Sequence, residues 1–283
     1  KASAAMAAAL EAAWPDVPLE GVVVTRDGHA APTRHVRILE ASHPVPDGRS
    51  EAAARAAMQA VSGLGPEDLV IVLVSGGGSS LMALPAPGLT LQDKQGIGRQ
   101  LLHSGATITE MNTVRRALSA IKGGGLAQAA SPAQVLTLVI SDVPGDDPSV
   151  LASGPTVCPP NTGVDALQIV ERYRLDLPHA VRQVLERRVR EQRAHTSVAD
   201  PRSRVALTAT PLMELQAAAA VARQHGLTPL VLGDALEGES QVSGILLGGM
   251  ARWARLPGRL ACSPAVLPSV GAITVTLIAG AGA

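Results

Sequence analysis

Short aliphatic runs rich in β-branched residues alternate along the chain with alanine-rich amphipathic stretches. That alternation predicts a mainly parallel sheet covered by helices on both faces. The clearest run, Leu69–Val74 (Leu-Val-Ile-Val-Leu-Val), reads as a strand buried on both sides, and Val135–Ile140 reads as a second. Weaker strands are expected at Val22–Thr25, Val36–Glu40, Val205–Ala209, Pro229–Leu232 and Ile273–Ile278. Helices are expected at Ala4–Trp14, Ser50–Val61, Leu91–Ser104, Ile108–Ile121, Asp165–Tyr173, Ala180–Arg193, Pro211–His225 and Ser243–Trp253. Pro257–Pro268, with three prolines, reads as a linker.

Composition narrows the function classes. Phenylalanine is absent and there is one tyrosine, so the core is aliphatic and offers few surfaces for stacking nucleobases. Lysine plus arginine equals aspartate plus glutamate at 24 each, so no net field draws the chain to nucleic acid or an anionic membrane. The basic run Arg182–Arg193 reads as a solvated helix face, with Arg187–Glu191 and Glu186–Arg190 pairing one turn apart. Cys158 and Cys262 stand far apart and in no ligand-like spacing, which argues against a disulfide framework or a zinc site. With no apolar run long enough to span a bilayer and no signal-peptide order at the N-terminus, a cytoplasmic protein is expected.

Two loops stand where chemistry is placed in open α/β sheets, at the carboxyl ends of strands. Ser75-Gly76-Gly77-Gly78-Ser79-Ser80 follows the first apolar run, and its backbone N–H groups and hydroxyls form a candidate anion nest. It is not a familiar nucleotide loop. No Gly-Lys dipeptide exists for a Walker A motif, and Leu81 stands where a dinucleotide fingerprint needs its third glycine. The second loop, Ser141–Asp147, gathers Asp142, Asp146 and Asp147, hard oxygen ligands suited to magnesium beside phosphate. Asn112, Arg115, Ser119 and Lys122 recur at helical spacing and so share one face, read either as a solvent-exposed polar stripe or, since it points toward Gly123-Gly124-Gly125, as a face that admits a phosphate. His43, in a proline-braced loop, reads as a packing residue, and Glu237 either lines the same cleft or begins a helix.

The motifs form an ordered series: His43-Pro-Val-Pro-Asp47, Val74-Ser-Gly-Gly-Gly-Ser-Ser-Leu81, Met111-Asn-Thr-Val-Arg-Arg-Ala-Leu-Ser-Ala-Ile-Lys-Gly-Gly124, Ile140-Ser-Asp-Val-Pro-Gly-Asp-Asp-Pro148, Ala152-Ser-Gly-Pro-Thr156 and Leu232-Gly-Asp-Ala-Leu-Glu-Gly-Glu239. This series resembles the glycerate 2-kinases that carry a MOFRL domain, proteins also named hydroxypyruvate reductases. The resemblance runs from Lys1 to about Arg255. It implies a Rossmann-like three-layer α/β domain with a mainly parallel sheet over residues 1–255, its first strand missing. Part of a second, smaller α/β (MOFRL) domain would begin at 256–283.

It further implies ATP-dependent, magnesium-assisted phosphorylation of D-glycerate at its 2-hydroxyl. The catalytic candidates are then Lys1, matched to the family's Gly-Lys-Ala-Ser segment, and Asp142. Ser75, Gly76, Gly77, Gly78, Ser79, Ser80, Asn112, Arg115, Lys122, Gly123, Gly124 and Glu237 are the nucleotide and substrate candidates, and Asp142 and Asp146 the metal candidates. The implied partner is a small hydroxy acid, with no nucleic acid or membrane and with a homodimer as an open option. At the far end Ser269-Val-Gly-Ala-Ile273 departs from the family's Ser-Gly-Gly-Glu-Thr, and the family's second catalytic residue, an arginine, falls beyond this sequence. Reduction of hydroxypyruvate and ligand binding without turnover are the alternative readings.

Overall fold

The computed structural model describes residues 2–143, 145–157, 159, 162–194, 202–254, 256 and 264–274. Its elements follow the predicted alternation: α1 (Ser3–Ala13), β1 (Gly21–Arg26), β2 (Val36–Ala41), α2 (Gly48–Ala60), β3 (Leu69–Val74), a short helical turn α3 (Gly78–Leu81), α4 (Leu91–Ser104), α5 (Ile108–Ala117), α6 (Gly125–Ala130) and β4 (Gln134–Ile140). A 3-10 turn at Leu151–Ser153 precedes α7 (Thr162–Arg172), α8 (His179–Ala194), β5 (Ser203–Ala209), α9 (Pro211–Gln224), β6 (Thr228–Pro229), β7 (Gly233–Glu239), α10 (Ser240–Ala254), β8 (Ala265–Val266) and β9 (Ser269–Thr274). The fold is α/β: β1 runs parallel to β2, β3 to β4, β6 to β8 and β7 to β9, with β4 between β3 and β5.

Two compact units result. One comprises Lys1–Ile140 with Pro148–Leu207, and the other Ser141–Asp147 with Thr208–Ala283. This division falls after Leu207, within β5 near its end, whereas the resemblance divides the chain at 255/256. In the first unit one aliphatic cluster joins α4, α5, α7 and α8 through Ile97, Leu101, Val114, Leu118, Val170, Val181 and Leu185. A second cluster packs Ala54, Val61, Ile121, Leu126 and Val135 around the sheet. Aliphatic side chains fill both without aromatic help.

Several sequence-based expectations are corrected. β3 is not buried on both sides: residues 70–73 are half-buried, Leu69 is exposed and only Val74 is buried, and the strand lies at the edge of its sheet. The central β4 instead buries Val135, Thr137 and Val139 on one face. The helix expected to reach Ile121 ends at Ala117, and the Leu118–Gly124 segment bends away, fastened by the Pro85–Ser119 bridge. Gly233–Glu239 is a strand where a loop or helix start was expected. The basic run on α8 is only partly solvated: Arg188 reaches the Ala117 and Ser119 carbonyls at 3.4 and 2.9 Å, closing the end of α5. Arg187 and Glu191 do pair, at 3.6 Å.

Helix starts are set by side-chain caps. Asp47 with Ser50, Thr90 with Asp93 and Thr107 with Glu110 form reciprocal capping boxes, and Thr210 caps α9 ahead of Pro211. Glu11 ties α1 to the chain entering β2, accepting the N–H groups of Arg34, His35 and Val36 at 2.6, 2.8 and 2.8 Å. Those amides, Arg34's foremost, hold its carboxyl below the usual range. A depressed carboxylate stabilises the fold above its unfolded pKa and loses that effect as pH falls through its folded pKa. Glu11→Gln is therefore expected to lower the melting temperature at pH 7 and to leave it unchanged in acid. Equal melting temperatures at pH 7 would show that the contact contributes nothing.

Candidate functional site

The β3 run ends in Ser75, which is buried and accepts a hydrogen bond from Ala2 N–H at 3.1 Å, with Ser3 Oγ 3.0 Å away. The chain then turns through Gly77 in the left-handed region (φ 87°) into α3. Gly76, Gly77, Gly78, Ser79 and Ser80 remain half-exposed, so the turn keeps an open side. Its glycines are dictated by close neighbours. A Cβ at Gly77 would lie 2.9 Å from His43 Nε2, and one at Gly78 would lie 2.8 Å from Ala152 Cβ. His43 thus packs on the turn itself. The Gly78 and Ser79 amides, at a helix start, have no acceptor within the helix, while Ser80 N–H and Oγ both donate to Gly77 O.

Lys122 is the centre of the site. It is buried, and its Nζ donates to Ser79 O at 2.6 Å and Ser79 Oγ at 2.8 Å. Ser79 Oγ in turn pairs with Ser153 Oγ at 2.8 Å. Burial pushes the Lys122 ammonium well below its ordinary pKa, and Lys94, Arg115 and Arg116 push it further. Burial likewise lowers Arg115 and brings Lys94 down to about 8, with Arg115 adding to the Lys94 shift. Among the described residues no carboxylate forms an ion pair with Lys94, Arg115 or Lys122. Burying Lys122 beside the half-buried Lys94 and Arg115, which repel it, without an ion-paired carboxylate destabilises the free protein. An oxyanion bound among them would reverse that cost.

The wall opposite is the Ala152-Ser153-Gly154 turn, with left-handed φ values of 50, 63 and 61°. Two consecutive non-glycine residues in that region store backbone strain, of the kind found at ligand sites. Ser149 O and Thr113 Oγ1 anchor the Arg116 guanidinium behind it, at 3.2 and 3.1 Å.

A profile of the family described as "Domain of unknown function (DUF4147)" matches residues 1–186. The chain belongs to the DUF4147 family. It is 56% identical over 277 residues to an Agrobacterium vitis protein named provisionally as a hydroxypyruvate reductase, covering 98% of this chain and 62% of that protein. Glycerate 2-kinase of Pyrococcus horikoshii is 37% identical over 280 residues, covering 98% of this chain and 63% of that enzyme. The crystal structure of Thermotoga maritima glycerate kinase superposes with a TM-score of 0.86 at 32% identity, over 98% of this chain and 66% of that one. This DUF4147 chain therefore spans just under two thirds of the length of these relatives.

Within this DUF4147 protein the predicted site residues are only partly brought together. The Ser75–Ser80 turn, Arg115 and Lys122 share one unit and one field, with Asn112 half-buried on the same helix as Arg115. Gly123 and Gly124 do not offer their amides to a phosphate, since these already donate to Ser153 O and Gly154 O at 3.1 and 2.8 Å. Their left-handed φ values, 58 and 85°, shape the bend that carries Lys122. Ser119 is fully buried and bonded to Leu84 O. Lys1 lies outside the described residues, as does the Glu237 side chain, although its backbone lies on β7.

In the second unit, Asp142 and Asp147 are exposed. Asp146 takes a positive φ of 52° and keeps Oδ1 buried without a hydrogen-bond partner among the described residues. Such an orphaned carboxylate oxygen fits a magnesium ligand. Magnesium needs only one or two carboxylates beside phosphate, so the lack of any three-ligand group among the described residues does not count against it. Sequence reasoning passed over Lys94, Ser153 and His43 as site residues. Only the ordered motifs around Ser153 and His43 carried any signal for them.

Proposed function

We propose that this protein is an ATP-dependent glycerate 2-kinase acting on D-glycerate. The observation that carries the reading is the buried Lys122 bonded to the glycine-rich turn, with the half-buried Lys94 and Arg115 adding like charge and no carboxylate ion-paired to any of the three among the described residues. Phosphoryl transfer depends on positioning and on stabilising charge at the transferring group. In the reaction the 2-hydroxyl oxygen of D-glycerate attacks the γ-phosphorus, the bond to the ADP oxygen breaks, and the hydroxyl proton is released. Arg115 and Lys122 neutralise the oxyanions, and the Ser75–Ser80 turn, fixed by Lys122 through Ser79, orients them. Asn112 adds a neutral hydrogen-bonding group on the Arg115 helix.

Lys1 takes the role of the lysine in the family's Gly-Lys-Ala-Ser segment, orienting substrate or transferred phosphoryl. Asp142 and Asp146 would hold magnesium, which would supply charge neutralisation of the nucleotide phosphates, and Glu237 would serve as a polar contact. Residues 256–283 begin a MOFRL domain, and the protein acts in the cytoplasm, as a monomer or homodimer. The relatives named as glycerate kinases support this reading. With D-glycerate and Mg-ATP the protein is expected to release ADP and form 2-phosphoglycerate. No ADP above a control lacking glycerate would overturn it.

The name of the Agrobacterium vitis relative favours a second reading, reduction of hydroxypyruvate. That activity needs a nicotinamide site, and Gly76-Gly77-Gly78 followed by Leu81 lacks the glycine pattern of one. Hydroxypyruvate-dependent loss of NADPH absorbance would establish it.

A further inference from the structure

We infer that Lys94, which no motif in the sequence singles out, is a further oxyanion contact of this site, gripping a carboxylate or phosphate of the bound substrates beside Arg115. The inference rests on the reading of the turn as an anion site. Lys94 sits in the first turn of α4, whose start is fixed by the Thr90–Asp93 capping box. Gln95 Nε2 donates to Pro46 O at 3.0 Å, fastening α4 to the His43–Asp47 loop, and His43 abuts Gly77 of the turn. The lysine is thus carried on an element secured to the site from outside the turn.

Its ammonium is poorly satisfied. Three N–H donors are available, yet the hydrogen bond to Leu84 O is long, at 3.4 Å. The charges acting on it are Arg115 on α5, which repels it, and Glu51 on α2, which attracts it. Lys122, beyond α5, feels the same repulsion. Glu51 is committed to Arg55 at 2.5 Å and does not pair with Lys94. Burial, with the repulsion from Arg115 outweighing the attraction of Glu51, brings Lys94 to about 8. A lysine retained only for packing would be better replaced by an apolar residue. A lysine that meets an anion recovers its charge and its hydrogen bonds on binding.

Binding of D-glycerate and, separately, of ADP is to be measured calorimetrically on the whole chain and on Lys94→Gln and Lys94→Arg, between pH 7 and pH 9. Two buffers of different ionisation enthalpy report proton uptake. The unaltered chain is expected to take up a proton on binding, with affinity falling as pH rises through about 8. Lys94→Gln is expected to weaken one of the two ligands by about 10- to 100-fold, which tells carboxylate from phosphate. Lys94→Arg, charged throughout, is expected to take up fewer protons than the unaltered chain, only the share of Lys122 remaining, and to lose less affinity between pH 7 and pH 9. Binding of both ligands by Lys94→Gln as tightly as by the unaltered chain would overturn the inference, as would unchanged proton uptake by Lys94→Arg. If the unaltered chain binds neither ligand, the anion-site reading itself falls and Lys94 with it.

Discussion

Replacing Lys122 by methionine is expected to reduce glycerate-dependent ADP release by about a hundredfold without lowering the melting temperature at pH 7. Methionine keeps most of the side-chain volume, so the packing around Ile121 and Leu126 survives. What is lost is a desolvated cation held among Lys94, Arg115 and Arg116, and removing a buried charge without a counter-ion is neutral or favourable to folding. On the proposed kinase reading the catalytic cost arises because Ser79 O and Oγ lose the donor that fixes the glycine turn, and a charge beside that turn is removed. Activity and stability should thus move apart. A variant as active as the unaltered chain would show that Lys122 only fills space.

Gly125→Ala is expected to cost about 3 kcal/mol or more of folding free energy, measured by urea unfolding. A Cβ there would stand 2.1 Å from Ala120 O and 2.9 Å from Ala120 C, and both are backbone atoms that no rotamer change can move. Relief requires the Ala120–Gly125 bend to open. Opening it breaks the Gly123 and Gly124 bonds to Ser153 and Gly154 and displaces Lys122 from Ser79. The effect therefore spreads from one methyl group to both walls of the site. A loss under about 1 kcal/mol would mean that the bend is softer than its hydrogen bonding indicates.

Much of the fold was legible because period and punctuation act locally. Leu69–Val74 and Leu91–Ser104 lie where the apolar pattern places them, since a continuous β-branched run or an amphipathic repeat needs no distant partner to declare itself. Burial was less legible. β3 reads as a central strand but lies at a sheet edge, because strand order depends on pairing far along the chain. The helix past Ala117 was overread for a similar reason: Ser119 and Lys122 keep helical spacing, but contacts to Leu84, Pro85 and Ser153 bend the chain away.

The site divides along the same line. The glycine turn was visible as a motif, since three glycines after an apolar strand are costly unless their backbone is needed. By itself the sequence determined an α/β chain whose glycine- and aspartate-rich loops stand at strand ends. Tertiary structure decided which of those loops meet. It brought His43, Ala152 and Ser153 onto the glycine turn, spent the Gly123 and Gly124 amides on neighbouring carbonyls, and set Lys94, Arg115 and Arg116 close enough to Lys122 to repel its charge. The physical reason is range: backbone preference acts over a few residues, whereas burial and Coulomb repulsion act between groups that share space whatever their distance in sequence.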